Sequence, residues 1–287
     1  MQEEAKPAAP DVAVRPPPLF CGDDELGYLR SRTRFAAGEG LALDDAYCLA
    51  HLPLVAPRHP RVVARREGTP YESGRHPPIF SLVLPVPGDA LNRSAAYRKL
   101  TRELQTSPFA PKIAWHLIER REKKLHATLC GSLAIGEQAP TLDDLQRREL
   151  ASLGPMEVEL RGLFSGSVNV GRLYLRAYPQ RRDGVNAFQR IQQVFGQRPT
   201  DLYPVGIFNL LDGLAASEAS ALSRIIERWW TKPISRFRVD HLWLLRASDD
   251  LVLDSLVIDT IALSCEKVRR CVGGKNLSIR ARARSGK

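Results

Sequence analysis

The stretch Lys123–Ala134, KKLHATLCGSLA, decides how the chain is read. After two lysines, Leu125, Ala127, Leu129 and Leu133 alternate with His126, Thr128, Cys130 and Ser132. Period-two alternation is the signature of a half-buried strand, because successive side chains leave opposite faces. His126 and Thr128 therefore share a face, about 6.5–7 Å apart along the strand. A phosphate between them can accept a hydrogen bond from the hydroxyl while the imidazole moves a proton at a neighbouring oxygen. The competing reading is a polar face that is simply wet.

Working outward, the flanks read as strands and helices in hairpin-rich order. IFSLVLPVP (79–87) is a buried strand closed by prolines, and 89–106 carries Leu91, Ala95, Leu100 and Leu104 near helical spacing behind Asp89 as N-cap. KIAWHLIE (112–119) reads as a strand, RREKK as a charged turn, and 125–134 as the antiparallel partner. Residues 141–154 form a helix opened by Thr141 and Asp144 and stopped at Gly154. Strands are expected at 156–164 and 170–179, a helix at 185–196, a strand at 202–211 and a helix over 217–231 with Ser217 as N-cap. Two further strands, 237–245 and 251–263, close the pattern. Such an order predicts an α+β fold with largely antiparallel sheets. A strand, helix and strand pair over 79–133 has an echo near 203–263, which suggests a duplicated, bilobal topology.

Composition bounds the rest. The chain has 287 residues, 44% hydrophobic, enough to bury a substantial core. Residues 1–18 are rich in Pro, Ala and charge and predict a disordered lead-in; their acidic start and lack of an apolar run do not fit a signal peptide. The apolar run 79–87 is too short to span a bilayer. A soluble, cytoplasmic and monomeric protein is the expectation. Five scattered cysteines suit neither a disulfide framework nor a zinc site, so reduced thiols are expected. The net charge of +10 is concentrated: eight Lys/Arg and no acid lie in 267–287, leaving 34 basic against 32 acidic residues elsewhere. That tail either adds sequence-blind affinity for phosphate backbones or is a solvated solubility tail. Residues 19–78, full of turn-formers, read as an N-terminal extension, and His51, His59 and His76 there as surface or structural groups.

The block KIAWHLIERREKKLHATLCGSL resembles the first motif of the two-histidine phosphoesterase superfamily, the 2′-5′ RNA ligase and 2′,3′-cyclic phosphodiesterase group. The matching residues are His126, Thr128, Leu129 and Gly131, with LRGLFSGSVNVGRLYLRAYP and FRVDHLWLLRASDDL…IDTIAL resembling later family elements. The likeness covers roughly 79–263 and frames a domain over 79–265, followed by the basic tail 266–287. It implies two sheets with pseudo-twofold symmetry around a cleft, helices outside, and two His-x-Thr/Ser motifs facing each other. One histidine would act as base and the other as acid on a 2′,3′-cyclic phosphate or a 2′-5′ linkage, with no metal or cofactor. RNA or a cyclic nucleotide phosphate would be the partner.

The sequence departs from that pattern where the second motif should stand. LYPVGIFNLLDG keeps the proline, but Val205, Gly206, Ile207 and Phe208 occupy the motif. His241 either comes from an adjacent strand to replace the missing histidine or is a core or edge histidine. Asn209 could bind phosphate without moving a proton, and Arg172 and Arg176, on alternating positions with Tyr174, are further phosphate-binding candidates. A catalytically weak enzyme, or an RNA- or nucleotide-binding protein using the same cleft and tail, is the alternative. Trp115, Trp229, Trp230 and Trp243 read as core, with a base-stacking platform as the other option.

Overall fold

The computed structural model describes residues 19–264; the lead-in 1–18 and the basic tail lie outside the described residues. In chain order the elements are α1 (Asp45–Ala50), α2 (Leu52–Val55), β1 (Arg75–Pro85), α3 (Gly88–Arg93), α4 (Ala95–Gln105), α5 (His116–Arg121) and β2 (His126–Ile135). There follow α6 (Asp144–Leu153), β3 (Met156–Ser165), β4 (Arg172–Pro179) and the short ribbon β5 (Arg181–Arg182) and β6 (Val185–Asn186). The chain continues through α7 (Ala187–Val194), β7 (Pro204–Asn209), α8 (Ala216–Trp229), β8 (Pro233–Val239), β9 (His241–Asp249) and β10 (Ser255–Ala262).

Two four-stranded antiparallel sheets carry the fold, ordered β10-β9-β1-β2 and β7-β4-β3-β8. The bilobal α+β expectation therefore holds. The strands match across the two: β1 reaches its edge neighbour β2 through helices, and β4 reaches its edge neighbour β7 through α7. The echo of 79–133 is thus 172–209, not 203–263. The two edge strands β2 and β7 lie side by side where the lobes meet.

Local chemistry explains most of the helices and several departures from expectation. Ser94 splits 89–106 into two helices because its Oγ accepts from Tyr97 N and caps α4, whose Tyr97, Leu100 and Leu104 then face the core. For α6 the cap is Asp143 with Gln146 in a reciprocal capping box, and Gly154 ends the helix at positive φ. The expected strand 112–119 is instead a 3₁₀ turn (Ala110–Lys112), one bridge from Ile113 to Leu210, and then α5. The expected strand 237–245 breaks at Asp240, with β8 in one sheet and β9 in the other.

One buried apolar cluster joins both sheets to the helices, and the segment after residue 19 is sewn into it through Phe20, Tyr28, Leu43, Tyr47 and Leu52. Isolated bridges pair Phe20 with Gln180, Arg32 with Gly166 and Leu41 with Leu214, all on the second lobe. Cys21, Cys48 and Cys130 are buried free thiols. Among the described residues no helix is long and apolar enough to cross a membrane.

Candidate active-site cleft

On β1 the residues Phe80, Leu82 and Leu84 turn to the main core, so Ser81, Val83 and Pro85 line the other face of the first sheet. The register sets Thr128 opposite Val83 and His126 opposite Pro85, which aims both polar side chains into the open face. The expected alternation fails at Cys130. Register shifts between β1 and β2 turn Leu129 and Cys130 both inward, while Ser132 takes a positive φ.

That face forms the floor of a cleft of about 450 Å³, to which the second lobe contributes Arg172, Tyr174, Pro204 and Gly206. His126 Nδ1 lies 2.8 Å from the Lys124 carbonyl oxygen. A carbonyl only accepts, so Nδ1 carries the proton and Nε2 keeps its lone pair. Burial pushes the imidazolium pKa down to about 4, with Arg172 and Arg121 adding to the effect against the bond to Lys124. At neutral pH His126 is a neutral base. The Thr128 side chain is exposed to the same space.

Across the cleft, the position opposite this motif holds a guanidinium rather than an imidazole. A Cβ built on Gly206 would come within 3 Å of Arg172 Nε, Cζ and Nη2, so the arginine lies flat over the glycine. Arg172 Nη1 donates to the Asp250 carbonyl oxygen at 3.0 Å, and its Nε is buried without a partner. Beside it Arg121 is 2% exposed and donates only to neutral acceptors: Leu251 O and Gly206 O at 2.9 Å, Asn209 Oδ1 at 3.3 Å and Ile207 O at 3.4 Å. Burial first, and the Arg172 charge second, lower its pKa to about 9. Neither guanidinium forms an ion pair among the described residues. Asp249 acts on Arg121, and Asp250 and Arg172 act on each other, from beyond ion-pair distance, and an anion in direct contact with the guanidiniums would add charge-assisted hydrogen bonds to that compensation.

The two carboxylates lining the cleft are already engaged, Asp249 by the backbone N–H groups of Leu251, Leu253 and Asp254. Asp250 sits 3.3 Å from His76 Nε2 and accepts from the Tyr71 hydroxyl at 2.9 Å. Its own burial would raise its pKa, but His76, His51, Tyr71 and Arg172 hold it down to about 2. For His76, burial is outweighed by hydrogen bonds to Asp250 and Pro77, and its pKa rises. His51 is fully buried against Tyr47 with both ring nitrogens lacking a hydrogen bond of good geometry. Its burial, reinforced by Arg172, lowers its pKa to about 3.

The structure therefore brings together His126, Thr128 and Arg172. Three other candidates fall elsewhere. Asn209 is 1% exposed and spends its oxygen on Arg121, so it supports the cleft from beneath. Arg176 is fully buried under Trp230, its guanidinium 3.7 Å from the ring centroid, and bonds Asp23 and Tyr178. His241 lines a separate cavity with its Nδ1 on Asp240. Of the four motif positions on the second lobe, Val205, Ile207 and Phe208 face the core and only Gly206 reaches the cleft. Sequence reasoning missed Arg121, Lys124, Tyr174, His76 and Asp250. Arg121 was hidden in a charge run, and nothing in RREKK marks which of the five side chains is buried.

No protein-family model matches the chain, and no curated protein matches it. A crystal structure of TT0787 of Thermus thermophilus aligns with 66% of this chain and 99% of its own length at 14% identity and a TM-score of 0.38. So loose a likeness assigns neither family nor activity.

Proposed function

We propose that the cleft binds a phosphate ester at an RNA terminus, or in a 2′,3′-cyclic or 2′-5′ linkage, and that the protein is a phosphoesterase of the two-histidine kind reduced to one histidine. The observation that carries this reading is convergence: a neutral imidazole, a free hydroxyl and an arginine without a carboxylate partner line one concavity. Thr128 and Arg172 hold non-bridging oxygens, and His126 Nε2 takes the proton from the attacking water. In-line displacement then needs a proton on the leaving oxygen. Arg172 stabilises charge there but does not release a proton near neutrality. Lacking that acid costs roughly 10²–10⁴-fold on alkoxide leaving groups. Leaving groups that depart as stable anions escape this cost.

The test is hydrolysis of a 2′,3′-cyclic nucleotide and of a nitrophenyl phosphodiester, with wild type and His126→Ala. The expected pattern is slow turnover of the cyclic ester, faster turnover of the aryl ester, and loss of both in the variant. Equal rates for wild type and variant sink the catalytic role. A second reading, a nucleotide- or RNA-binding protein, is favoured by Gly206, the one residue of the expected second motif that reaches the cleft, which brings no histidine there from the second lobe. It predicts salt-sensitive binding that survives His126→Ala, with no turnover of either ester.

A further inference from the structure

Both cleft arginines hang from one turn. Between β9 and β10 the chain reverses over 249–254, and consecutive carbonyl oxygens there hold the two guanidiniums. Asp250 O accepts from Arg172 Nη1 at 3.0 Å, and Leu251 O accepts from Arg121 Nε at 2.9 Å. While the Asp249 carboxylate closes the turn on its own N–H groups, the Asp250 carboxylate ties it to the N-terminal segment. Its Oδ1 lies 3.3 Å from His76 Nε2, its Oδ2 accepts from the Tyr71 hydroxyl at 2.9 Å, and the two rings meet edge to face at 5.5 Å.

His76 is buried, and each of its ring nitrogens faces an acceptor: Nδ1 the Pro77 carbonyl oxygen at 2.8 Å, Nε2 the Asp250 carboxylate. Only the imidazolium donates to both. Burial works against the charged ring, but the bonds to Asp250 and Pro77 and the nearby Asp249 charge outweigh it, so its pKa rises. A neutral ring with its proton on Nδ1 turns a lone pair toward the carboxylate and loses it. Asp250 then keeps the Tyr71 hydroxyl, and the cation open to it is Arg172, already bonded to its own main chain. A carboxylate on that guanidinium occupies the donors that an anion in the cleft would use.

We infer that His76 is a positioning residue: its imidazolium, with Tyr71, holds the Asp250 carboxylate away from Arg172, and the anion site closes when His76 gives up its proton. The inference rests on the phosphate reading of the cleft and adds a pH gate to it. His51 and His126, near 3 and 4, and Arg121, near 9, change charge on either side of that gate.

Calorimetric titration of inorganic sulfate, whose charge stays constant, at about pH 6 and about pH 8 tests it in wild type, His76→Phe, Asp250→Asn and the double variant. Wild type should bind sulfate about tenfold more weakly at the higher pH, the worth of one hydrogen bond to a charged group. His76→Phe keeps a ring against Tyr71 but donates nothing, and should bind weakly at both. Asp250→Asn retains the main-chain carbonyl for Arg172 without a charge to compete, so it should bind tightly at both and restore affinity to His76→Phe. A purely structural part for His76 predicts neither the pH dependence nor the rescue. Thermal melts at both pH values show that folded protein is titrated. If His76→Phe does not fold, the flattening of the wild-type pH profile by Asp250→Asn still decides. Equal wild-type affinity at the two pH values, an Asp250→Asn profile as steep as wild type, or a folded His76→Phe that Asp250→Asn does not rescue overturns the gate and leaves the phosphate cleft standing. If sulfate binds wild type at neither pH, the anion reading fails and the gate falls with it.

Discussion

Replacing Gly206 with alanine tests whether Arg172 holds the anion. The new Cβ would stand within 3 Å of three guanidinium atoms, where ordinary contact is about 3.5–4.0 Å, so the group must retreat by about 1 Å. What yields is the end of a flexible side chain, not backbone, so the cost to the fold is limited to the Arg172 contacts given up, about 1.5–3 kcal/mol and several degrees in Tm. The displaced guanidinium gives up its bond to the Asp250 carbonyl oxygen and its aim at the cleft. A hydrogen bond to a charged group is worth about 1.5–3 kcal/mol. Phosphate affinity should therefore fall about tenfold to a hundredfold, and Arg172→Met should fall as far. Calorimetric titration with inorganic phosphate, beside a thermal melt, reads both quantities. Phosphate binding of wild-type strength in Gly206→Ala, with Tm intact, would refute the placement of Arg172 as the anion holder.

Three further outcomes follow from the same geometry. Because His126 must be neutral to accept a proton and its pKa is pushed down to about 4, kcat/KM should rise with pH through the region near 4 and stay flat to neutrality; a rise centred near 6.5 contradicts the burial argument. His51, facing Arg172, Arg121 and Asp250, is held neutral down to about pH 3, whereas in the unfolded chain it protonates near 6.5. Between those values the unfolded state binds the extra proton, so stability should fall by a few kcal/mol on acidification through this window, and His51→Leu should flatten that limb in urea titrations at stepped pH. Arg121→Met leaves Gly206 O, Ile207 O, Leu251 O and Asn209 Oδ1 without their donor and should cost about 3 kcal/mol or more, seen as a lower urea midpoint at constant m.

The parts of this fold that could be read in advance are those where a single period governs the side chains. Strands β3 and β4 and the stripe of α8 announce themselves that way, as does the pairing of His126 with Thr128, while β1 and β7 stand out as short apolar runs. Misreadings arose where two periods coincide. Ile113, Trp115 and Leu117 alternate like a strand, yet Pro111 and the bridge to Leu210 turn that segment into a 3₁₀ turn leading into a short helix. No glycine or proline marks the switch at Asp240, because an apolar run feeds two sheets as readily as one. The arginine over Gly206 and the ion pair of His76 with Asp250 join residues 34 and 174 positions apart, and local pattern carries no information on such partners.

The order of strands also governs when each half can form. All four strands of the second sheet come from one continuous stretch, 156–239, whereas the first joins β1 and β2 to β9 and β10 from the far end of the chain. During synthesis the inner sheet can close while β1 still waits for β9, its flank open to any strand that passes. Arrival of β9 and β10 is thus what completes the first sheet, and a chain cut at Asp240 would keep the motif while leaving it on an unfinished, adhesive hairpin.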